Sequence, residues 1–336
     1  MDELAASLDA AASPAALPPL AERIAERVPL RLAQGAPVDA IAAEVSALHR
    51  RLIARVWALV APPPLVADSC LVVMGSEGRG EQILKTDQDN ALVLREGAAG
   101  EGAEAAARRF SGALADCGWP PCPGGIMVTN PLWRQPVSGF RATIRDWLLG
   151  ADPEGPMRLA IFCDAAPVAG DAALLAELRD FLDALAADND AYLARFAAAA
   201  DQFGEPGPWW TRLGAWRDEQ PLDLKKLGIF PVVHGVRTLA LQHHVHELGT
   251  AARLARLTTL GAVDGTLAGD LLGALRVLMA TRLAHQLRQR AAGHAPGNEL
   301  RPSTLAVPER AALRQALSVV KRWRAWLRQH FRLDTL

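Results

Sequence analysis

The sequence has few cysteines, and it has no excess of charge of either sign. Its 336 residues include four cysteines, too few for a disulfide framework in a chain of this length, so a reducing, cytoplasmic location is expected. Lysine and arginine together number 36, against 37 for aspartate and glutamate, which gives a formal net charge of -1. Proteins that coat nucleic acid carry a marked basic excess to neutralise phosphates. Nucleic acid is therefore not expected as a partner.

Long apolar runs are also missing. The most apolar stretch, residues 52–66, contains Arg55 and three consecutive prolines, whereas a membrane-spanning helix needs about 20 apolar residues in a row. The first residues, Met1 to Leu4, lack the basic region that opens a secretory signal. Neither a membrane span nor export is therefore expected. Half of the residues are nonetheless hydrophobic, and the length predicts two domains at about 150 residues each.

Three segments of different character follow one another along the chain. Residues 1–62 are predicted to form an N-terminal helical segment, because apolar residues recur at helical spacing until Pro62 to Pro64 end the pattern. Residues 63–170 contain short apolar runs and predict a small mixed sheet flanked by helices. Residues 171–336 show only helical patterns, which are typical of a bundle. The predicted fold class is therefore α+β, a small mixed-sheet domain followed by an all-helical C-terminal bundle.

Short strands are predicted at three places in the middle segment. Cys70 to Met74 and Ala91 to Leu94 are apolar and bounded by polar or glycine residues, as buried strands are. A third strand is predicted at Gly125 to Thr129, and helices are predicted at residues 101–116 and 141–149. The polar chemistry of the segment is concentrated between the first two strands.

A glycine-rich loop directly follows the first predicted strand. Gly75, Gly78 and Gly80 fall within six residues, and such a backbone can turn its amides towards a phosphate. Ser76 adds a hydroxyl donor to the loop, while Arg79 and Lys85 add positive charge. The loop is therefore a candidate phosphate site made of Gly75, Ser76, Arg79 and Lys85.

Two aspartates precede the second predicted strand. Asp87 and Asp89 are two residues apart, so strand geometry places their side chains on one face. Close carboxylates repel each other unless a cation lies between them, and hard oxygen ligands suit Mg²⁺ or Mn²⁺. A lone Gly-Ser is usually a turn, and a lone Asp-x-Asp is usually a solvated loop. Their combination, eleven residues apart between two apolar strands, favours a functional site over either structural explanation.

This combination resembles the signature of the DNA polymerase beta-like nucleotidyltransferases. The longer pattern, Gly75 to Glu81 with Thr86 to Asn90, is closer to PII uridylyltransferase and glutamine synthetase adenylyltransferase. The chain is most similar to a nucleotidyltransferase-like family often associated with CBS domains. Its members share stretches that occur here at Cys122 to Met127, Asn130 to Arg134 and Asp223 to Pro231, the last inside a helical C-terminal substrate-binding domain.

The resemblance implies a transferase that moves a nucleoside monophosphate (NMP) group from a nucleoside triphosphate (NTP) to an acceptor. Gly75 and Ser76 would bind the triphosphate, and Asp87 and Asp89 would be the catalytic residues that hold the metal ion. A protein acceptor and a place in signal transduction are implied by the likeness to PII uridylyltransferase.

One departure from the family pattern keeps a second hypothesis open. Members of the superfamily usually supply a third carboxylate from a later strand, and the strand expected to match it, Ile126 to Asn130, contains no acid. Asn130, Asp146 and Asp164 are candidates to replace that carboxylate. The alternative is a catalytically impaired module that senses nucleotides and regulates another activity.

Other candidates lie outside the central motif. Lys225 and Lys226, on an otherwise apolar segment, are predicted to reach phosphates, although lysines that extend into solvent at a helix end are the commoner case. The pair Trp209-Trp210 is a candidate to stack a base, although packing is commoner for such pairs. Cys117 and Cys122 lack a second cysteine pair for zinc, so they are interpreted as a packed thiol and a loop thiol.

Overall fold

The structure, a computed structural model, describes residues 2–97, 102–187, 189–202 and 220–335. It divides into two compact units, Met1–Leu185 and Ala186–Leu336. The first unit combines the two segments that were expected to meet at residue 62 and also includes residues 171–185. The three-segment division itself stays a prediction.

A four-stranded mixed sheet lies at the centre of the first unit. Its strands are β1 (Ser69–Val73), β2 (Asn90–Leu94), β3 (Arg134–Pro136) and β4 (Ala166–Gly170). The order across the sheet is β3-β2-β1-β4. Strand β1 is antiparallel to β2 and to β4, whereas β2 and β3 are parallel. Together with the helical second unit, this mixed sheet confirms the α+β fold class.

Helices cover the sheet. All five residues of β1 and all five of β2 are buried, as is expected for strands with both faces packed. The helix Val38–Val60, which ends just before the three prolines, buries most of its predicted apolar stripe. Its Trp57 ring contacts the Phe110 ring edge-on, with 5.5 Å between the ring centres. The helices of the unit are α1 (Asp2–Ala10), α2 (Pro18–Ala33), α3 (Val38–Val60), α4 (Pro63–Ala67), α5 (Gly75–Gly78), α6 (Ala103–Asp116), α7 (Val137–Leu149), α8 (Gly155–Phe162) and α9 (Ala173–Ala186).

The predicted third strand is wrong. Residues 125–129 form no strand: residues 127–129 lie in a bend and a turn, and Gly125 has a φ of +65°, outside the range of extended strands. The side-chain amide of Asn130 donates to the Gly125 carbonyl at 2.9 Å and stabilises this turn. Strands β3 and β4 were not predicted, since both contain proline and both are only partly buried.

The second unit is a group of helices with one small strand pair among its described residues. The long helices α13 and α14 pack against each other, and α11 is buried along most of its length. A Cβ at Gly235 of α11 would lie 2.4 Å from Leu327 Cδ1 of α14, so only glycine permits this close approach. The elements are α10 (Asp190–Gln202), β5 (Leu222–Asp223), a π-helical turn (Lys225–Ile229), α11 (Phe230–Gln242), α12 (Thr250–Thr259), α13 (Gly265–Ala291), β6 (Glu299–Leu300) and α14 (Val307–His330).

The strand pair β5–β6 is antiparallel, two residues long and separate from the first sheet. It is a small departure from the all-helical bundle that was predicted. Within the described part of the chain, no helix combines the length and the apolar character that crossing a membrane requires.

Candidate functional site

The glycine-rich loop and the two aspartates meet where β1 and β2 pair. The ladder ends at Val73 and Asn90, and one further hydrogen bond runs from the Met74 amide to the Asp89 carbonyl at 2.9 Å. Gly75 then turns the chain into α5 with a φ of +58°. A Cβ at this position would lie 2.9 Å from Asp89 Oδ2. Glycine is therefore required here for two reasons, its positive φ and the carboxylate directly against it.

The α3 helix supports the turn formed by α5. The Arg50 guanidinium donates to the carbonyls of Glu77 and Gly78 at 3.0 and 2.6 Å, which satisfies acceptors at the C-terminal end of the turn. Glu77 Oε2 lies 3.1 Å from His49 Nδ1, and both side chains are buried. A Cβ at Gly78 would lie 2.0 Å from the Asp164 carbonyl oxygen, so the turn is packed against backbone. The loop is thus held in one conformation by contacts on several sides.

Ser76 lies on the partly exposed side of this turn. Its hydroxyl donates to Gln82 Oε1 at 2.7 Å, and the carbonyl of the buried Gln82 accepts from Ser46 at 3.1 Å. Binding of a phosphate by the Ser76 hydroxyl hydrogen requires exchange of this bond. The oxygen of the hydroxyl is thereby fixed in position next to Gly75.

Arg79 has two carboxylate partners in the structure. Its Nε donates to Glu81 and its Nη1 to Asp164, each at 2.6 Å, and the Asp164 side chain has no exposed surface. Burial acts to lower the pKa of the Arg79 guanidinium, but the two carboxylates outweigh this effect and raise the pKa above its usual value. In this structure Arg79 is therefore part of a buried ion-pair network, and its role in phosphate binding stays a prediction.

Lys85 is also bonded within the protein. Its Nζ donates to Glu22 Oε1 at 2.5 Å and to the Cys117 carbonyl at 3.0 Å, and it lies 5.5 Å from the centre of the Trp119 ring. The side chain is 9% exposed. Lys85 therefore connects α2 to the chain that leads into the aspartates, and its predicted phosphate role is likewise untested.

The side chains of Asp87, Asp89 and Cys122 converge on one point. One ligand atom from each, a carboxylate oxygen or the thiol sulfur, lies within 4.8 Å of the others, and all three residues are partly buried. Three ligand atoms that share one cation lie about 3–4 Å apart, given metal–ligand distances of about 2.0–2.3 Å. Side-chain movements that close these separations by about 1 Å would thus allow the three residues to hold one divalent ion. The predicted convergence of the two aspartates is observed, while their catalytic role stays a prediction.

Cys122 reaches the aspartates because its loop lies along the start of β2. The Gln88 amide donates to the Pro120 carbonyl at 3.0 Å, and the Asn90 amide donates to the Ile126 carbonyl at 3.1 Å. Asn90 Oδ1 in turn accepts from the Val128 amide at 2.9 Å. Because the amides of residues 88 and 90 bond to this loop, the loop runs beside the segment that carries both aspartates. The loop position predicted for Cys122 is correct, but its neighbours could not be read from the sequence.

Burial and nearby negative charge raise the pKa of the Cys122 thiol. Burial is the largest effect, and with the charges of Asp89 and Asp87 it raises the pKa of Cys122 to about 11. Hydrogen bonds from the backbone of Ile126 and Gly124 act in the opposite direction. The thiol is therefore protonated at neutral pH in this state.

The side chains proposed to replace a third carboxylate have other positions. Asn130 accepts from the Leu132 amide at 3.0 Å and donates to Gly125, so both ends of its side chain are bonded. Asp164 is bonded to Arg79, and Asp146 is exposed on α7. Among the histidine, cysteine and acidic residues of the described ranges, Asp87, Asp89 and Cys122 form the one group of three able to hold a metal ion.

The remaining candidates belong to the second unit. Lys225 and Lys226 are both exposed, and Lys226 Nζ lies 4.0 Å from Asp223 Oδ2. The Lys226 backbone amide also donates to Asp223 Oδ1 at 2.9 Å. Their predicted contact with phosphates stays a prediction. The pair Trp209-Trp210 lies outside the described residues.

Comparison with known families gives two matches along the chain. Residues 22–154 match the family model described as "Putative nucleotidyltransferase DUF294". Residues 190–331 match the model described as "Putative nucleotidyltransferase substrate binding domain". The chain belongs to this nucleotidyltransferase family. The first match contains the loop, both aspartates and Cys122, and the second covers most of the helical unit.

Membership in the family supports a general nucleotidyltransferase role and a nucleotide substrate. No curated protein matches the chain at a significant level. The base of the nucleotide, the ion and the acceptor are therefore matters for proposals.

Proposed function

We propose that the protein transfers an NMP group from an NTP to an acceptor, using a divalent ion, Mg²⁺ or Mn²⁺, held by Asp87 and Asp89. One observation carries this proposal: the Asp89 carboxylate lies directly against Gly75 at the start of the glycine-rich turn, and the Asp87 carboxylate converges on the same point. Phosphate-binding backbone and metal-binding carboxylates are therefore adjacent, as metal-bound phosphates require.

In this proposal each part of the loop has a separate task. The amides at the start of α5 have no partner within the helix and point towards the triphosphate. Ser76 exchanges its bond to Gln82 for one to a phosphate oxygen. Asp87 and Asp89 hold the ion, which when bound would polarise the phosphate that is attacked and stabilise the pyrophosphate that leaves. The acceptor hydroxyl binds on the open side of the carboxylates, and the likeness to PII uridylyltransferase favours a protein as its source.

The role of the two aspartates can be tested with substitutions that remove the charge of the side chain but keep its shape. Asp87→Asn and Asp89→Asn should each weaken binding of a non-hydrolysable NTP with Mg²⁺ or Mn²⁺ by about tenfold or more, because an amide keeps the shape but loses the charge. Both should also abolish release of pyrophosphate with ATP, CTP, GTP and UTP. Titration calorimetry gives the first quantity, and a coupled pyrophosphate assay gives the second.

Asp180→Asn is the matched control, because Asp180 is an exposed aspartate on α9 away from the loop. It should bind and react like the wild type. If the two Asn variants bind the metal–nucleotide complex as tightly as the wild type, the aspartates are a turn motif and the proposal fails.

The sensing alternative is favoured by one observation, the lack of a third carboxylate beside Asp87 and Asp89 within the described part of the chain. A sensor would bind the metal–nucleotide complex through both aspartates and release no pyrophosphate. Incubation with cell lysate and labelled ATP or UTP separates the two functions, since only a transferase places label covalently on an acceptor. Binding that needs both acids, with no label and no pyrophosphate under any condition, would establish the sensor.

A further inference from the structure

We infer that Cys122 supplies a third, sulfur ligand to the divalent ion at Asp87 and Asp89, and that this ligand shifts the site towards Co²⁺ and Zn²⁺ relative to Mg²⁺. The inference rests on the proposed function, since that function places a cation at the two aspartates. It concerns a residue that the sequence marks only as a loop thiol.

The distances permit the assignment. The Cys122 sulfur and one carboxylate oxygen from each aspartate already lie within 4.8 Å of one another. A Zn–S distance is about 2.3 Å and a Zn–O distance about 2.0–2.2 Å, so three ligand atoms on one tetrahedral ion lie about 3.4–3.7 Å apart. The separations therefore need to close by about 1 Å, which is within the reach of side-chain rotation.

The loop fixes the sulfur in this position. The Cys122 carbonyl accepts from the Gly125 amide at 2.9 Å, which closes a turn, and the Cys122 amide donates to Met127 Sδ at 3.0 Å. These two bonds fix the backbone on both sides of the Cys122 side chain, and such outer contacts commonly orient the ligands of a metal site. The side chain is thus positioned in the way that ligands of metal sites commonly are.

The chemistry of the donor set predicts the preference. Two carboxylate oxygens alone suit Mg²⁺, whereas a thiolate favours softer ions. When Cys122 binds, its sulfur forms the bond to the metal and its proton passes to solvent, because the thiolate is the ligand. Two carboxylates and one thiolate leave further positions on the ion for phosphate oxygens or water. The same site can therefore serve the proposed reaction while selecting a different ion.

Cobalt gives a direct optical readout. In the full-length protein, addition of Co²⁺ should produce a near-ultraviolet absorption band from charge transfer between thiolate sulfur and metal. Cys122→Ser should lack this band and bind Co²⁺ and Zn²⁺ about tenfold or more weakly. Cys163→Ser is the matched control, because Cys163 is a partly buried cysteine in the turn after α8, and it should keep the band. Cys122→Asp should shift the preference towards Mg²⁺, since it restores an all-oxygen site.

A second measurement uses the wild type alone and so does not depend on the folding of a variant. Zn²⁺ should slow alkylation of Cys122 by iodoacetamide without slowing that of Cys163, as measured by mass spectrometry of the two peptides. The inference would be overturned if Co²⁺ binds without producing the band, binds equally well to Cys122→Ser, and does not protect Cys122 from alkylation. If Asp87→Asn loses Co²⁺ binding in that case, the proposed function still holds, with an ion bound by oxygen ligands only. If Asp87→Asn also binds Co²⁺ normally, the proposed function falls as well.

Discussion

Arg79 shows how a residue that looks like a phosphate ligand can belong to the structure of a loop. Its guanidinium joins Glu81, two residues away, to Asp164 in the turn after α8, and each of the three side chains is 14% exposed or less. A buried carboxylate that loses its cationic partner is costly, because no water replaces the lost interaction. Arg79 therefore connects the loop to the sheet region whether or not it touches a ligand.

This arrangement predicts a large effect on stability. Arg79→Met should lower the free energy of unfolding by about 3–5 kcal/mol, the usual cost of breaking a buried ion pair from one side. Arg79→Met combined with Asp164→Asn should recover part of the loss, since the uncompensated charge is removed. Urea unfolding of the wild type and the two variants measures both quantities. A loss below about 1 kcal/mol, accompanied by a large loss of nucleotide affinity, would instead assign Arg79 to phosphate binding.

The same residues show what a sequence can predict about such a site. The convergence of Asp87 and Asp89 follows from the alternation of side chains next to a strand, which is a local property. The partners of Arg79 and the approach of Cys122 depend on residues far along the chain, Asp164 and the loop at 120–130. No periodicity connects those positions to the motif. The resemblance to known nucleotidyltransferases therefore located the site but not its third candidate ligand.

At the scale of elements, the pairing of α2 and α3 supports the loop from outside. Arg27 and Arg31 of α2 donate to opposite oxygens of Glu44 on α3, with distances of 2.5–3.0 Å. Helix α2 also carries Glu22, the partner of Lys85. A helix of the predicted N-terminal helical segment thus contacts the chain leading to the aspartates. The apolar stripes of α2 and α3 alone do not predict these contacts.

Removal of the Glu44 charge should therefore weaken the first unit. Glu44→Gln should lower the free energy of unfolding by about 1–2 kcal/mol near pH 7, a value between those of exposed ion pairs and buried charged hydrogen bonds. Glu26→Gln, which changes an exposed glutamate of α2, is the control and should have little effect. An equal loss in both variants would mean that net charge, rather than the bonds of Glu44, is responsible.

The pH dependence of that difference has a definite sign. Burial acts to raise the pKa of Glu44, but hydrogen bonds and charges from Arg27 and Arg31 outweigh it and lower the pKa from its ordinary 4.5. A carboxyl whose pKa is lower in the folded state stabilises the protein above its unfolded-state pKa, and this contribution is lost as pH falls through the folded-state value. The difference between wild type and Glu44→Gln should thus be constant near neutral pH and shrink below 4.5. Urea unfolding over that range measures it.

At the scale of the whole molecule, the border between the two units lies in a place that helix patterns do not reveal. Helix α9 has the same kind of apolar stripe as the helices after it, so it was grouped with them. In the structure it belongs to the first unit, where Glu177 accepts from Arg141 of α7 at 2.7 Å. Arg145, also on α7, lies 5.6 Å from the centre of the Phe181 ring. These contacts between α7 and α9 are long-range in sequence, which is why periodicity could not assign α9.

The two family matches fall on different units, and the lysines of each unit allow a separate test of phosphate binding. The chain has four lysines, Lys85, Lys225, Lys226 and Lys321, of which the first three are predicted phosphate ligands. Lys225, Lys226 and Lys321 are exposed, whereas the Lys85 side chain is 9% exposed and bonded to Glu22. The small number of lysines makes each one separately measurable by amine acylation and mass spectrometry.

If the helical unit contributes to phosphate binding, a saturating metal–NTP complex should slow acylation of Lys225 and Lys226, because phosphate contacts occupy the amines. Lys321 is the internal reference and should react at the same rate with and without nucleotide. The double variant Lys225→Ala/Lys226→Ala should also bind the complex more weakly, while Lys321→Ala should not. Unchanged rates at Lys225 and Lys226, under conditions where calorimetry shows the loop of Gly75 to be saturated, would confine the phosphate site to the first unit. The helical unit would in that case contribute no phosphate ligand, and Lys225 and Lys226 would be solvated charges in the π-helical turn before α11.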